Sequence, residues 1–290
     1  MRAACIDIGS NTTRLLVADL LGGRLVEIRS ERAFTLIGQG LAATGTVTAA
    51  KIDEVVAVVA AQLRSAMELG ADDICAVATA AIRAAANGAE LIAAIHAATG
   101  LRVRVLSAEQ EARLAFSGAA RMLGDRPPGL LGVLDVGGGS SEIVLGTAPA
   151  EVAWWRSLAI GSSTLTDGWL HADPPTAAEL AAARREIYAR MEGLRPPLPA
   201  LAVAVGGSAT SLCQLAGPIL DPAALLRSVR VLASEPAAVV AQRSGIDPRR
   251  ARLLPAGLLI LEALTELLRT RIVIGRGGVR EGVLLEALTA

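Results

Sequence analysis

Residues 6–12 of the chain read Ile6-Asp7-Ile8-Gly9-Ser10-Asn11-Thr12, and a similar stretch returns as Leu134-Asp135-Val136-Gly137-Gly138-Gly139-Ser140. In both stretches an apolar run reaches an Asp and then opens into glycine and hydroxyl-bearing residues, which is typical of a buried strand followed by a tight turn. Apolar residues resume after each turn, so each stretch predicts a strand, a turn and a second strand. The repetition indicates an internal duplication and predicts two facing lobes.

The remaining sequence alternates between strand and helix patterns. Apolar residues recur at helical spacing from Ala49 to Leu69 and stop at Gly70, which predicts a helix after the first meander. Further patterns predict strands at 74–78, 101–106, 130–135, 201–205 and 271–274, and helices at 80–98, 108–122, 175–191 and 280–288. This alternation is the signature of an α/β protein.

The length of 290 residues predicts about two domains, since a domain usually has roughly 100 to 200 residues. The clearest break is Gly124–Gly129, where two prolines between glycines can continue neither a helix nor a strand ladder. We therefore predict an N-terminal lobe over residues 1–123 and a C-terminal lobe over residues 124–279. The closing helix at 280–290 is expected to pack back on the N-terminal lobe.

The composition excludes several classes of protein. Lys and Arg total 28, as do Asp and Glu, so the zero net charge provides no global field for nucleic acid or an anionic membrane, and any anion must be bound locally. The apolar fraction of 52% argues against disorder. Three scattered cysteines indicate neither a disulfide framework nor a zinc site, and neither an export signal nor a membrane segment is expected. A cytoplasmic location fits best.

Three loops share one design, in which a buried strand opens into small residues that can expose consecutive backbone N–H groups. Such loops hold phosphate oxygens without needing a cationic side chain. The alternative for any one of them is an ordinary tight turn, but three together favour phosphate binding. The candidate binding residues are Gly9, Ser10, Asn11, Thr12 and the nearby Arg14 in the first loop, Gly137, Gly138, Gly139, Ser140 and Ser141 in the second, and Gly206, Gly207 and Ser208 in the third.

Carboxylates stand beside the first two loops. Asp7 and Asp135 each lie near the end of a predicted strand where a glycine loop begins, a position that suits holding Mg²⁺ through waters beside a bound phosphate. The alternative is that each Asp caps the turn that follows it. Glu142 lies just beyond the second loop and is expected to join the metal shell or to orient water. The predicted metal ligands are therefore Asp7, Asp135 and Glu142.

The helix predicted at 108–122 begins with two further carboxylates, Glu109 and Glu111. Either could take a proton from an attacking water, or both could only complement the N-terminal end of the helix dipole. The pattern alone leaves this choice open. Arg83 and Asn87 are four residues apart in a predicted helix, so they would share a face, and Arg83 is expected to contact phosphate unless that face is simply solvated.

Together these motifs resemble the exopolyphosphatase and guanosine pentaphosphate phosphohydrolase family, within the actin-like and sugar-kinase-like superfamily. The resemblance rests on residues 6–12, 78–87, 111–114, 135–142, 205–210 and 279–282, and so covers nearly the whole chain. It implies two ribonuclease-H-like lobes with the active site in the cleft between them, in the short, two-domain type of the family. It also implies that Glu111, directly before Ala112-Arg113, is the general base, with Asp135 and Glu142 as the metal and water-orienting carboxylates.

The resemblance implies a homodimeric hydrolase that removes terminal phosphate from inorganic polyphosphate with Mg²⁺, with Mn²⁺ and K⁺ as other candidate ions. One alternative is hydrolysis of the 5′ γ-phosphate of guanosine pentaphosphate, and others are an ATP-dependent sugar or acyl kinase and a sensor that binds an alarmone without turnover. A kinase would not require Glu111. Three positions depart from the family's pattern, Leu36, Arg252 and Arg276, and they bear on substrate length and dimer contacts.

Overall fold

The computed structural model of the chain describes residues 1–123, 128–147 and 151–287, without the side chain of Ala42. The strands are β1 (Arg2–Ile8), β2 (Thr13–Leu21), β3 (Arg24–Ala33), β4 (Asp73–Ala78), β5 (Val103–Val105), β6 (Leu131–Val136), β7 (Ser141–Thr147), β8 (Glu151–Leu158), β9 (Leu201–Val205), β10 (Ile219–Leu220) and β11 (Ile272–Ile274). The helices are α1 (Leu41–Thr44), α2 (Ala49–Glu68), α3 (Ala80–Ala84), α4 (Gly88–Thr99), α5 (Ala108–Met122), α6 (Ser162–Trp169), α7 (Ala177–Met191), α8 (Gly206–Ala216), α9 (Pro222–Ser234), α10 (Ala237–Ser244), α11 (Pro248–Ala251), α12 (Leu254–Leu268) and α13 (Val279–Ala287).

The chain divides into two compact units. The first comprises Met1–Met122 together with Gly277–Ala290, and the second is Leu123–Arg276. Helix α13 thus belongs to the first unit, where it packs on α5 and β1. The predicted break at Gly124–Gly129 falls largely on residues 124–127, which lie outside the described residues.

Each unit is built on one sheet, and the two sheets have the same core topology. In the first unit the order is β3-β2-β1-β4-β5, with β1, β2 and β3 antiparallel and with β4 and β5 parallel to β1. In the second unit the order is β10-β11-β9-β6-β7-β8, with β6, β7 and β8 antiparallel and with β9 and β11 parallel to β6. An antiparallel meander extended by parallel strands is the ribonuclease-H-like arrangement, so the predicted duplicated α/β fold is confirmed.

Apart from Arg2 and Asp7, strand β1 is apolar, because both faces of its sheet are covered. Ala4, Ile6 and Ile8 pack in one cluster with side chains of α2 and α4. The alternate residues Ala3 and Cys5 pack in a second cluster with side chains of α5 and α13. Burying a large aliphatic side chain contributes roughly 1.5 to 3 kcal/mol, so this central strand anchors the unit.

In the second unit, helix α12 is the centre of the core. All but a few of its residues are buried, and it packs against α6, α7, α8 and α9. Helix α7, which packs on α12, begins with a capping box. The backbone N–H of Glu179 donates to Thr176 Oγ1 at 3.2 Å, and the backbone N–H of Thr176 donates to Glu179 Oε2 at 2.7 Å.

The predicted helix at 80–98 is wrong in one respect, since it is broken into α3 and α4. Asn87 lies at the break, and its side chain makes a two-way contact with the backbone of Val47, accepting from the N–H and donating to the carbonyl at 2.8 Å each. Asn87 and Arg83 therefore do not share a helical face. Among the described residues, no helix is long and apolar enough to cross a membrane.

Candidate active site

The first glycine loop, residues 9–12, follows β1 in the first unit. The turn is closed by the backbone N–H of Gly9, which donates to Thr12 O at 3.1 Å, while the N–H groups of Ser10, Asn11 and Thr12 donate to no described residue. Three consecutive amides without a partner in the described part of the chain are an arrangement suited to binding an anion. The side chains of Ser10, Asn11 and Thr12 are buried.

Two buried polar atoms beside this loop also have no hydrogen-bond partner among the described residues, Asn11 Nδ2 and Asp7 Oδ1. Native proteins pair nearly all buried polar groups, so such atoms mark a place where a ligand is expected. Burial raises the pKa of the Asp7 carboxyl, and the nearby cations Arg14 and Arg280 oppose that rise. The Asn11 Nδ2 donor fits a phosphate oxygen, and the Asp7 Oδ1 acceptor fits a hydrated cation.

A segment that sequence reasoning did not connect to the site, residues 35–38, holds the first loop in place. The N–H of Leu36 donates to Asn11 O at 3.0 Å, and that of Gly38 donates to Ser10 O at 2.8 Å. A Cβ at Gly38 would lie 3.2 Å from Ser10 Cβ, so glycine permits this approach. Leu36, one of the departures from the family's pattern, has a φ of 48°, a conformation that is unusual for a large residue.

Helix α5 begins with the capping box that the sequence contains. The N–H of Ser107 donates to Gln110 Oε1 at 2.9 Å, and the N–H of Gln110 donates to Ser107 Oγ at 3.1 Å. This cap fixes where the helix starts, and it places Glu109 and Glu111 in the first turn.

The two glutamates of this turn have different environments. Glu109 is half exposed and pairs with Arg113 one turn along the helix surface, Nε to Oε1 2.9 Å. The side chain of Glu111 is only 9% exposed, and its Oε2 accepts from Arg83 Nη1 at 3.1 Å. The structure thereby distinguishes two residues that the sequence pattern left equivalent, because only Glu111 is both shielded from water and paired with a cation predicted to bind phosphate.

The side chain of Arg83 is held by a backbone carbonyl as well as by Glu111. Its Nη1 also donates to the carbonyl of Leu106 at 2.6 Å, directly before helix α5 begins. The Nε and Nη2 atoms of Arg83 donate to no described residue, so two donors of the guanidinium are available to an anion.

The second glycine loop, residues 137–140, lies in the second unit between β6 and β7. Its turn is closed by the N–H of Gly137, which donates to Ser140 O at 3.0 Å. The carbonyls of Gly137 and Gly138 accept from the first N–H groups of helix α6. The N–H groups of Gly138, Gly139 and Ser140 donate to no described residue, so this loop repeats the amide arrangement of the first.

Ser141 follows this loop and has a different environment from the other predicted residues. It is fully buried, and its Oγ donates to the carbonyl of Ile160 at 2.7 Å. Its hydroxyl is therefore committed to a contact within the protein.

Asp135 and Glu142 lie directly opposite each other on β6 and β7. Directly paired residues project to the same face with Cβ atoms about 4.5 to 5.5 Å apart, and like charges in such a pair repel. Glu142 is 2% exposed and its Oε1 accepts from Ser157 Oγ at 2.7 Å, which fixes its direction. Two neighbouring carboxylates of this kind fit a hard divalent cation.

The third loop begins helix α8, at residues 206–208. Gly206 has a φ of 84°, a conformation that favours glycine, and a Cβ there would displace the carboxylate of Asp135. No side chain in the part of the chain that the structure describes caps this helix, and Ser208 is buried. An uncapped N-terminus of an eleven-residue helix attracts anions.

Arg250, which sequence reasoning did not select, lies against the third loop. The side chain is buried, and a Cβ at Gly207 would lie only 2.6 Å from its Nη2. A buried guanidinium packed on an uncapped helix start strengthens that start as an anion site. The neighbouring Arg252 instead donates to the carbonyl of His171 at 3.1 Å and to that of Leu170, and Arg276 is exposed.

Over residues 1–123, 128–147 and 151–287, no group of three or more His, Cys, Asp or Glu side chains is arranged to hold a metal ion. Of the predicted ligands, Asp7 lies in the first unit, and Asp135 and Glu142 lie in the second. Mg²⁺ commonly uses only one or two carboxylates, completed by waters and substrate phosphates. The Asp135–Glu142 pair fits that requirement by its donor chemistry.

The duplicated ribonuclease-H-like units, each with an amide-lined loop after its first strand, define a phosphate-handling protein of the actin-like fold class. The model of the Ppx/GppA phosphatase family matches residues 16–290, and the chain belongs to this family of phosphoanhydride hydrolases.

Three similar proteins show how far the similarity extends. Exopolyphosphatase 1 of Mycobacterium leprae is 31% identical, over 99% of this chain and 90% of its own length. Exopolyphosphatase 2 of Mycobacterium tuberculosis is 33% identical, over 99% of this chain and 97% of its own length. The crystal structure of the Aquifex aeolicus member of the Ppx/GppA family is 30% identical, with a TM-score of 0.84 over 100% of this chain and 98% of that one.

Proposed function

We propose that this chain is an exopolyphosphatase, a Mg²⁺-dependent hydrolase that releases the terminal phosphate of inorganic polyphosphate. The observation that carries the proposal is the environment of Glu111, a shielded carboxylate at the start of α5 that is paired with Arg83. Two of the similar proteins described above are named exopolyphosphatases and align with almost the whole chain, which supports the same substrate class here.

Glu111 acts as the general base. In hydrolysis a water oxygen forms a bond to the terminal phosphorus while the phosphoanhydride bond breaks, and the water proton passes to the Glu111 carboxylate. Arg83 orients that carboxylate through Nη1. Its Nε and Nη2 donors, which have no partner among the described residues, bind a phosphate oxygen. Because the side chain of Glu111 is largely shielded from solvent, its position is fixed before the substrate arrives.

In each unit, backbone amides bind phosphate groups of the substrate. The loops at residues 9–12 and 137–140 each present three N–H groups without partners among the described residues, and helix α8 adds an uncapped N-terminus beside Arg250. Oriented amides stabilise the charge that develops on phosphate oxygens without the cost of reorganising solvent.

Asp135 and Glu142 are the residues that would hold Mg²⁺. In the first unit, Asp7 offers an unpartnered Oδ1 as a further acceptor for a hydrated cation. When bound, the ion neutralises negative charge on the phosphate oxygens. A chelator should abolish phosphate release, and titration with Mg²⁺, Mn²⁺ and K⁺ in turn identifies the ion that restores it.

The proposal is tested with Glu111→Gln and the matched control Glu109→Gln. Phosphate release from long-chain polyphosphate should fall by about 10²-fold or more in Glu111→Gln, the scale of a lost general base. It should be unchanged in Glu109→Gln, because that residue only pairs with Arg113 at the surface. Full activity in Glu111→Gln would overturn the assignment of the base.

The same assay distinguishes the other functions. Preferential release of phosphate from guanosine pentaphosphate would make the chain a pentaphosphate phosphohydrolase that uses the same residues. Binding of either compound without release at any metal concentration would identify an alarmone sensor. The homodimer that the family resemblance implies is tested separately, by sedimentation at low protein concentration.

A further inference from the structure

A groove on the first unit lies outside the residues assigned above to catalysis, apart from Arg83 on its wall. It has a volume of about 800 Å³ and is bounded by the segment of α3 and α4 on one side and by β5 on the other. Small side chains, among them Ala86 and Ala89, form the helical side, and Val103 and Val105 form the strand side. This size and apolar character fall within the range of sites that bind small organic molecules.

The ionisable side chains that line the groove are all basic, namely Arg83, His96 and Arg102. Arg102 is exposed and makes neither a hydrogen bond nor an ion pair with any described residue. His96 Nδ1 lies 3.1 Å from Leu101 O, which leaves Nε2 for a ligand. No Asp or Glu of the described residues lines the groove, so its charge is complementary to an anion.

We propose that this groove binds an organic anion with an apolar body, that is, a carboxylate or a phosphate monoester carrying an aliphatic or aromatic group. The apolar body covers the alanine and valine side chains, and the anionic head contacts Arg102 and Arg83. Inorganic polyphosphate does not fit this description, because it has no apolar part to cover the walls of the groove. The groove is therefore distinct in its chemistry from the amide-lined loops.

Arg83 connects the groove to the proposed general base. The same guanidinium that lines the groove donates to Glu111 Oε2. An anionic head that binds the available Nε and Nη2 donors of Arg83 competes with substrate phosphate for them and slows phosphate release. This regulatory consequence rests on the proposed function, whereas the binding itself does not.

The probe for the binding test is anilinonaphthalene sulfonate, which combines an aromatic body with an anionic head and becomes fluorescent in apolar surroundings. Titration should show saturable binding to the wild type. Binding should weaken by about tenfold in Arg102→Gln, which loses the charge-assisted contact, and in Ala93→Trp, which fills the groove. The control is Arg104→Gln, because Arg104 lies on β5 but pairs with Glu286 at 2.8 Å. Unchanged binding in both groove variants would overturn the proposal, as would a failure to saturate.

Two further measurements identify the ligand's head group and test the regulatory consequence. Competition by octanoate and by octyl phosphate distinguishes a carboxylate from a phosphate head. In the phosphate-release assay the probe should slow the wild type but affect Arg102→Gln about tenfold more weakly. Saturable binding with no effect on the rate would overturn the coupling through Arg83. If the chain releases no phosphate at all, the proposed function fails and the fluorescence titration still decides whether the groove binds.

Discussion

Glu109 and Glu111 show how two identical side chains in one helical turn acquire different chemistry. The surface pair of Glu109 with Arg113 contributes at most about 1 kcal/mol, because water and salt screen it. The pair of Glu111 with Arg83 is shielded on the carboxylate side, where an ionic hydrogen bond is stronger. The exposure of the partner atoms, which no sequence pattern reports, decides which glutamate is suited to catalysis.

At the scale of single residues, the role of Arg83 gives a testable prediction. Arg83→Gln should lower phosphate release by about 10²-fold, since it removes a cationic donor from the phosphate and the contact that orients Glu111. Arg113→Gln breaks the matched surface pair and should leave the rate within twofold of wild type. Steady-state phosphate release measures both, and equal losses in the two variants would contradict the role given to Arg83.

At the scale of secondary structure, helices α5 and α13 of the first unit pack with their backbones in close approach. A Cβ on Gly282 would collide with the backbone carbonyl of Leu114, and one on Gly118 would collide with that of Gly278. Glycine on each side lets the two backbones touch, and α5 is the helix that carries Glu111 in its first turn.

Gly282→Ala should therefore lower the free energy of unfolding by about 1 to 3 kcal/mol, the usual cost of overpacking. The control is Gly168→Ala in helix α6, where an added Cβ meets nothing within 4 Å. That change should be neutral or should stabilise by roughly 0.5 to 1 kcal/mol, because alanine favours the helix. Urea denaturation of both variants measures the difference, and a stable Gly282→Ala would show that the helices can move apart.

The capping box of α7 gives a pH-dependent prediction. Hydrogen bonds from the Thr176, Ala172 and His171 backbones lower the pKa of Glu179 from 4.5 to about 2. A depressed carboxyl pKa stabilises the fold above pH 4.5, and this contribution is lost as the pH falls from 4.5 toward 2. The thermal midpoint of Glu179→Gln should lie below that of wild type at pH 7, and the gap should narrow at pH 3.5. A difference in thermal midpoint that does not change with pH would mean that the hydrogen bonds to Glu179 do not depend on its charge.

The elements that the sequence predicts best are those with local signals. Helix α5 and strand β9 occupy the predicted residues 108–122 and 201–205, because a capping box starts the helix and a glycine pair ends the strand. Strand β8 was missed because Trp154-Trp155-Arg156 breaks the alternation of apolar and polar residues. The break between α3 and α4 was missed because it depends on Asn87 binding Val47, forty residues away.

The candidate site likewise contains features that the local sequence predicts and contacts that it does not. The glycine loops and the carboxylates beside them are contiguous in sequence, so their chemistry could be predicted. Arg250 and the segment at residues 35–38 act through partners distant in the chain, Gly207 in one case and Asn11 in the other, and no local pattern announces such contacts. The pairing of Arg83 with Glu111 belongs to this second group.

At the scale of the whole molecule, the two units differ in continuity. The second unit is one stretch, Leu123–Arg276, whereas the first combines Met1–Met122 with Gly277–Ala290.

Residues 123–276 alone should therefore unfold cooperatively in urea. Residues 1–122 alone should not, because Val283 and Leu284 complete one of their apolar clusters. A fusion that joins residues 277–290 to residue 122 through a short linker should restore the transition, and circular dichroism would follow it. A cooperative transition in residues 1–122 alone would contradict this account.

The same discontinuity fixes an order of events on the ribosome. Strand β1 is synthesised before the second unit, but helix α13, which packs against Ala3 and Cys5, is synthesised after it. While the entire second unit is translated, the nascent first unit has only α5, without α13, to cover that apolar face of its sheet. The second unit is complete first, so the proposed general base on α5 is locked into its final packing only after α13 has left the exit tunnel.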